Sequence, residues 1–166
     1  AVHGNTVSLN SSGGAVGGAS APLQIGASNL SAVAASGIFL DTNRFSPALV
    51  QVNSLQNTTS GNMVLSAYGG AQTNSPVQNS GGSVTINTLS PLSVTSGISA
   101  SGGIVLSTLG GASNNNVLLD GAFSATSFQV ALGVGGDVSF GPGFSGINPQ
   151  IIRLANAPSS GDLSLN

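Results

Sequence analysis

The stretch that decides the fold is SGGSVTIN, residues 80–87, and a similar stretch, SGGIVLST, begins 21 residues later at residue 101. In both, two glycines precede a short apolar segment that ends in Asn, Ser or Thr. Glycine and asparagine tolerate the positive φ of tight turns, and short apolar segments between such residues are typical of strands. The two copies therefore predict strands separated by turns.

The same unit recurs along the chain, centred each time on Val or Leu. The copies are GNTVSLN from Gly4, GNMVLSA from Gly61, GGSVTIN from Gly81, GGIVLST from Gly102, NNNVLLD from Asn114, GGDVSFG from Gly135 and GDLSLN from Gly161. The anchors Val64, Val84, Val105, Leu118, Val138 and Leu163 are 20, 21, 13, 20 and 25 residues apart. Three steps are close to twenty, and the 13-residue step is expected where an intervening strand has been taken as an anchor.

Further strand-like segments lie between the anchors: residues 23–25, 38–40, 50–52, 92–94, 128–130 and 151–152. A period near twenty with two or three short strands is what one coil of a β-solenoid requires. We predict an all-β parallel β-helix (β-solenoid) of roughly eight coils, which is about 40 Å long at a strand spacing of ~4.8 Å.

Alternation along each strand predicts which side chains fill the interior. Val84 and Ile86 are expected to point inward and Thr85 outward, and Val138 and Phe140 inward with Ser139 outward. The run of asparagines at residues 114–116 is a candidate for a stacked amide ladder at a corner.

The chain is expected to be one continuous unit whose two parts differ in regularity. Residues 61–166 carry the regular coils, and residues 1–60 are less regular and include a Gly/Ser/Ala-rich stretch. Leu30, Val33 and Ala34 fall at helical spacing, but frequent Ser and Gly disfavour a helix, which Gly37 would cut short.

The composition excludes several kinds of partner. Charged residues make up 4 % of the chain, against roughly 25 % in ordinary globular proteins. Four acids and two bases cannot neutralise a row of phosphates or hold an anionic membrane surface, so neither nucleic acid nor lipid headgroups are predicted as partners. Membrane insertion is not predicted, because no run approaches the ~18 apolar residues that span a bilayer. Without cysteine there is no disulfide framework and no thiolate site.

The Gly-Gly-x-Val-x-Ile/Phe copies SGGSVTIN, SGGIVLST and GGDVSFG resemble the degenerate repeats of filamentous-haemagglutinin-type bacterial exoproteins and related large adhesins. The resemblance covers residues 61–166 best. It implies a right-handed parallel β-helix, export to the cell surface, and a role in attachment or biofilm structure. Asn148-Pro149 is only a fragment of that family's N-terminal secretion pattern.

Candidate chemical groups are few. His3 is the only histidine and lies three residues from the chain start, where order is usually poor, so a Ser-His-Asp relay is not expected. Asp120, Asp137 and Asp162 are the carboxylates that a polysaccharide-cleaving β-helix or a calcium site would use, but each stands where Asp caps a turn. We predict no catalytic residue, no cofactor site and no metal site.

Other residues have local roles or leave alternatives open. Asp41 and Arg44 are three apart and are expected to form a local ion pair. The aromatic residues Phe123, Phe128, Phe140 and Phe144 either fill the core or form a sugar-stacking patch. Asn10, Asn29 and Asn57 begin N-x-S/T triplets, which this composition produces by chance.

We therefore predict a non-catalytic structural segment of an extracellular, cell-surface fibre or adhesin. Its expected partners are further copies joined end to end, or a longer repeat array, and a host or matrix glycan. One alternative is a filament subunit with a β-sandwich fold that polymerises by strand exchange, with Val7-Ser8-Leu9 as donor strand. Another is a carbohydrate-binding or carbohydrate-active β-helix.

Overall fold

The computed structural model describes residues 1–42, 48–110 and 114–147, together with the backbone of Arg153–Ala155. Across these residues the chain forms 18 strands and no helix. The strands pair in parallel with strands one turn away, so the chain climbs as a β-solenoid of about six turns. The predicted all-β parallel solenoid is thereby confirmed. The handedness implied by the family resemblance stays a prediction.

One sheet of eight strands forms the first column of the stack, here called column 1. Its strands are β1 (Val2–His3), β3 (Leu23–Gly26), β5 (Ile38–Asp41), β7 (Met63–Ala67), β10 (Val84–Thr88), β13 (Gly103–Thr108), β16 (Ser127–Leu132) and β18 (Arg153–Ala155). Ile38, Met63, Val84, Ile104 and Phe128 lie in register on successive turns, and all five are buried.

The second sheet begins as one column and then divides. Its first strands are β2 (Thr6–Ser11), β4 (Asn29–Ala34) and β6 (Val50–Asn57). Residues 50–52 of β6 continue into column 2, which contains β8 (Ala71–Thr73), β11 (Leu92–Val94), β14 (Val117–Leu119) and β17 (Val138–Phe140). Residues 55–57 continue into column 3, which contains β9 (Val77–Asn79), β12 (Ile98–Ala100) and β15 (Phe123–Ser124).

A bulge in β6 marks the point of division. Leu30 of β4 pairs with Val52 and the next residue, Ser31, pairs with Ser54, so Asn53 is an extra residue in β6. A bulge bends its strand and increases the local twist. From the next turn upward, the residues that correspond to one strand form two, which are separated by a corner at residues 74–76.

The interior is filled by alternate residues of each strand. Val84 and Ile86 are 1 % exposed and Thr85 is half-buried on the outside, as predicted. Val138 is buried and Ser139 faces outward, also as predicted. Phe140 is only partly buried and packs against the core from the last described turn of column 2.

The anchors are not equivalent positions, and that part of the repeat assignment is wrong. Val64 and Val105 stack on the outward-facing Thr85, not on Val84. Leu118 and Val138 belong to column 2, where Leu118 stacks on Ser139. The 13-residue step from Val105 to Leu118 is therefore the passage from one column to another, as the sequence indicated. Leu163 lies outside the described residues.

The number of turns, about six, differs slightly from the roughly eight coils predicted. Individual turns differ in length, because side-chain hydrogen bonds between neighbouring turns join residues from 17 to 24 positions apart. Loops between strands, such as residues 12–22 between β2 and β3, lengthen individual turns. Six turns at a spacing of ~4.8 Å give a described rod of roughly 30 Å, which is shorter than the predicted 40 Å.

The stretch with helical spacing is a strand. Leu30, Ala32 and Ala34 of β4 are all buried, which is the alternation of a strand with one face in the core. β5 pairs with β7, so column 1 is continuous between the strands before residue 60 and those after it. The less regular first part of the chain thus contributes to the same two sheets as the rest.

Candidate functional surfaces

The single histidine is exposed at the N-terminal end of column 1. His3 closes β1 and lies in register with Gly26 of β3.

Of the acids, Asp120 has a defined structural task. One carboxylate oxygen, Oδ1, accepts a hydrogen bond of 2.6 Å from the backbone N–H of Gly143, which lies in the next turn. The interpretation of Asp120 as a turn-capping residue is supported, with the cap spanning two turns. The Asp137 backbone N–H donates to Asn116 Oδ1 at 3.0 Å, which ties another pair of corners together.

Asp41 is hydrogen-bonded to a neighbouring turn. Asp41 Oδ2 accepts a hydrogen bond of 2.8 Å from Gln24 Nε2 in the turn below. The predicted partner of Asp41, Arg44, lies outside the described residues, as do Asp162 and Asn148-Pro149. In the described ranges, no three His, Cys, Asp or Glu side chains come together as a metal site.

The four predicted aromatic residues form one cluster. Phe123 contacts Phe128 and Phe144, with ring centroids 5.5 Å apart in both pairs, and Phe140 contacts Phe144 at 4.6 Å. Phe123 and Phe128 are buried, and Phe140 and Phe144 are partly buried and pack against the core from the last described turn. Core filling therefore accounts for Phe123 and Phe128, and the flat exposed patch that a sugar ring would need is not formed by them.

A buried amide pair at a corner was missed in the sequence. Asn57 and Asn79 stack in register, and Asn57 Nδ2 donates to Asn79 Oδ1 at 2.9 Å. Asn57 Oδ1 accepts from the Gly37 N–H at 3.0 Å, and Asn79 Oδ1 accepts from the Gly81 N–H at 3.0 Å. The two side chains thus hold together the backbones of three successive turns.

The predicted asparagine ladder is at the wrong place. Residues 114–116 follow each other within one turn, and the turn above has Gly136 and Asp137 there instead of amides. The signal for the true pair is the dipeptide Gln-Asn, at residues 56–57 in QNTTSG and again at residues 78–79 in QNSG.

The N-x-S/T triplets differ in accessibility. Asn10 is exposed in β2 and Asn29 is half-buried in β4. Asn57 is 1 % exposed and its amide is held in hydrogen bonds to Ser60 O and Gly61 O. A glycan on Asn57 is therefore incompatible with the folded chain.

The outer surface is made mainly of uncharged polar side chains. On the outside of column 2, Asn74 Nδ2 donates to both Gln51 Oε1 and Asn53 Oδ1 at 2.9 Å, and Gln72 Nε2 donates to Asn74 Oδ1 at 3.2 Å. These four exposed amides form a network across two turns at the β6 bulge. Amides and hydroxyls in such rows can exchange hydrogen bonds with other hydroxyl-rich or amide-rich molecules.

Two shallow grooves run along the outside. One, of about 340 Å³, lies on column 3 and is lined by Gln78, Asn79, Ser80, Ser99, Ala100, Ser101 and Ser124. The other, of about 330 Å³, lies beside column 1 and is lined by Ser66, Asn87, Thr88, Leu89, Ser107 and Leu109. No charged side chain lines either groove.

Comparisons of the chain with protein-family models, with curated proteins and with solved structures found no match. Within residues 1–42, 48–110 and 114–147, no helix is long and apolar enough to cross a membrane.

Proposed function

We propose that the chain is a non-catalytic structural segment of an extracellular surface fibre or adhesin, which self-associates and mediates attachment or matrix formation. The observation that supports this proposal best is the uninterrupted stacking of strands. Column 1 pairs from β1 to β18, and the second sheet from β2 to β17. Such a stack is a stiff rod, because every turn is hydrogen-bonded to its neighbours along its strands.

The surface and the sequence fit a role outside the cell. The outer rows are rich in Ser, Thr, Asn and Gln, and the whole chain offers only two Lys or Arg residues to a trypsin-like protease. The likeness of SGGSVTIN and GGDVSFG to repeats of large bacterial exoproteins points to the same class.

Strand edges supply a route to self-association. In the described residues, β2 pairs on one side only, with β4. Asn5 O and Ser11 O accept hydrogen bonds from the N–H groups of Asn29 and Ala35, so the odd-numbered residues of β2 direct their backbone groups toward β4. The even-numbered residues direct theirs the other way, so the N–H of Ser8 lies at the open edge. An open edge is a template for another strand, and here it would be a further coil of the stack.

The end-to-end contact is tested by imaging the purified chain in the electron microscope. Rods of about 30 Å that join into longer rods as concentration rises are the expected result. Ser8→Pro removes one edge N–H without touching the ladder to β4, and should shorten the particles. The matched variant Ser8→Thr keeps the N–H and should behave as wild type. Particles that never join, or that join equally in Ser8→Pro, would argue against end-to-end assembly.

The location is tested separately on the source cells. Antibodies against the folded chain should label intact cells, as detected by immunogold microscopy, and permeabilisation should add little further signal. Labelling that is confined to permeabilised cells would reject the surface assignment, whatever the purified rods do.

Carbohydrate binding is the second candidate, and the groove on column 3 favours it. Gln78, Ser80, Ser99 and Ser101 present amide and hydroxyl groups along about 340 Å³ without a charged side chain. If the groove binds a glycan, Ser99→Tyr should fill it and abolish retention on a glycan array, while Ser139→Tyr on column 2 should not. If the chain instead cleaves a glycan, replacing Asp120 and Asp137 by Asn should abolish turnover of that glycan.

The described residues do not form the β-sandwich that the strand-exchange alternative assumed. That alternative needs a β-sandwich with hairpins and a donor strand, but Val7-Ser8-Leu9 lies within β2 and pairs in parallel with β4 of the same chain. The β-sandwich fold of this alternative is therefore wrong.

A further inference from the structure

Exposed apolar side chains are concentrated along one edge of the solenoid. The large hydrophobic residues that are exposed in the described part are Leu49, Tyr68, Leu89, Leu109 and Val134, with 37, 49, 37, 50 and 71 % of their surface accessible. Each lies in the connection between column 1 and column 2: Leu49 directly precedes β6, and the other four follow β7, β10, β13 and β16. We call these five residues the apolar ridge.

The backbone stacks three of the five ridge residues one above another. The Leu89 N–H donates to Ala67 O at 3.3 Å, and the Leu109 N–H donates to Thr88 O at 3.0 Å. Tyr68, Leu89 and Leu109 therefore occupy the same place in three successive turns. Because adjacent strands are ~4.8 Å apart, their side chains project at that interval along the edge.

A groove runs beside the ridge. Leu89 and Leu109 form one wall, and Ser66, Asn87 and Ser107 of column 1 contribute polar groups. Ser107 Oγ donates to Asn87 Oδ1 at 2.8 Å, so part of this polar wall is already satisfied within the chain. The groove thus combines an apolar wall at a fixed repeat with a polar, uncharged wall.

We propose that the apolar ridge is a lateral contact between two copies of this chain, each seating its ridge in the groove of the other. This deepens the proposed structural role and rests on it, because it joins rods side by side. A second copy is the occupant that matches the ridge best, since it presents the same apolar side chains at the same repeat. A two-fold arrangement uses the same surface patch on both copies.

The polarity of the surface favours this occupant. None of the residues named as lining the groove or forming the ridge carries a charge, so these residues of two copies can approach without repulsion between like charges. The described carboxylate in register with the groove is that of Asp41, one turn below Ser66. The ridge extends over five turns, about 20 Å along the rod, and the groove over three of them, so the contact belongs to the small and weak class of interfaces.

Cross-linking tests the contact directly, because the chain has no cysteine of its own. Leu89→Cys should form a disulfide-linked dimer under mild oxidation, while Ser99→Cys, on the exposed face of column 3, should remain monomeric. Equal cross-linking of both variants, or of neither, would overturn the proposal.

A second measurement separates lateral from end-to-end association. In a Ser8→Pro background, sedimentation velocity should still show a monomer–dimer equilibrium, and Leu89→Thr with Leu109→Thr should weaken it at least tenfold. Circular dichroism verifies that these variants keep the strand signal. If Ser8→Pro alone removes every dimer, the ridge proposal fails while the end-to-end contact stands. If the dimer persists unchanged in the threonine variants, the ridge is not the contact.

Discussion

Glycine is required in this solenoid for two physical reasons, a positive φ and a close approach between neighbouring turns. Substitutions at four glycines can distinguish the two. Gly97 has a φ of +81°, and a Cβ added to it would lie 2.0 Å from Ala122 O in the next turn. Gly135 has a φ of +70° with open space around it, and Gly81 has no positive φ but a Cβ position 2.2 Å from Ser60 Cα. Gly13 has neither constraint. Alanine at Gly135 therefore measures the cost of the positive φ, and alanine at Gly81 measures the cost of the close approach. Alanine at Gly97 measures both costs, and alanine at Gly13 measures neither.

The expected free energies of unfolding follow from these distances. A left-handed φ costs an alanine about 1–2 kcal/mol, and the loss of glycine's freedom in the unfolded chain returns about 0.4–1 kcal/mol. Gly135→Ala should thus destabilise by about 1 kcal/mol, and Gly13→Ala should be neutral or slightly stabilising. In Gly81→Ala, stacked corners must separate by more than about 1 Å to reach van der Waals contact, at a cost of about 1–3 kcal/mol. Gly97→Ala carries both penalties, about 3 kcal/mol or more.

Urea unfolding followed by far-UV circular dichroism ranks the four variants, and hydrogen exchange locates the damage. Protection should fall in the turns that contain Gly97 and Ala122 for Gly97→Ala, and little elsewhere for Gly135→Ala. If Gly81→Ala is as stable as Gly13→Ala, corners do not stack at the distance described. If Gly97→Ala and Gly135→Ala are equally destabilised, the close approach contributes nothing and the reasoning is refuted.

Three further substitutions test other parts of the stack by the same unfolding measurement. Asn57→Ala leaves buried backbone groups without hydrogen-bond partners and should cost about 3 kcal/mol. Phe123→Ala empties the centre of the aromatic cluster and should cost about 3–5 kcal/mol. Ser66→Asp places a carboxylate in register with Asp41 and should cost about 1 kcal/mol at low salt, and less as salt is added.

Each of these has a matched control on the outer surface. Asn10→Ala removes an exposed amide, and Leu118→Ala removes an outward-facing apolar side chain of column 2; both should cost less than about 1 kcal/mol. Ser66→Asn has nearly the shape of Ser66→Asp without its charge, and should show no salt dependence. A loss in Asn10→Ala equal to that in Asn57→Ala would mean that the buried amide pair does not hold the turns together.

The strands and their inward faces could be predicted because the signals are local. Glycine and asparagine punctuate the chain, and in Val84-Thr85-Ile86 the alternation identifies the core side without ambiguity. The stacking register could not be predicted in the same way. Met63-Val64-Leu65 and Ile104-Val105-Leu106 are apolar throughout, so the sequence leaves open which residue faces the core. A slip of one residue exchanges the two faces of a strand.

The buried amide pair and the apolar ridge depend on register, which explains why sequence reasoning missed them. Asn57 and Asn79 become partners only when residues 55–57 lie on 77–79. Tyr68, Leu89 and Leu109 look like scattered loop residues until the turns are stacked. Such sites are properties of pairs of turns, and a single repeat contains no sign of them beyond the recurring Gln-Asn dipeptide.

The low charge of the chain has a physical cause in the stack itself. Residues in register on successive turns are ~4.8 Å apart, where like charges repel by about 1 kcal/mol even in water. A repeat with Lys or Glu at one outward position would align a row of like charges, whereas Asp41 lies in register between Gln24 and Ser66. Low charge therefore accompanies this architecture whatever the partner is. The informative departure from an uncharged polar surface is the row of exposed apolar side chains at one edge, because solvation alone disfavours it and a contact between copies would bury it.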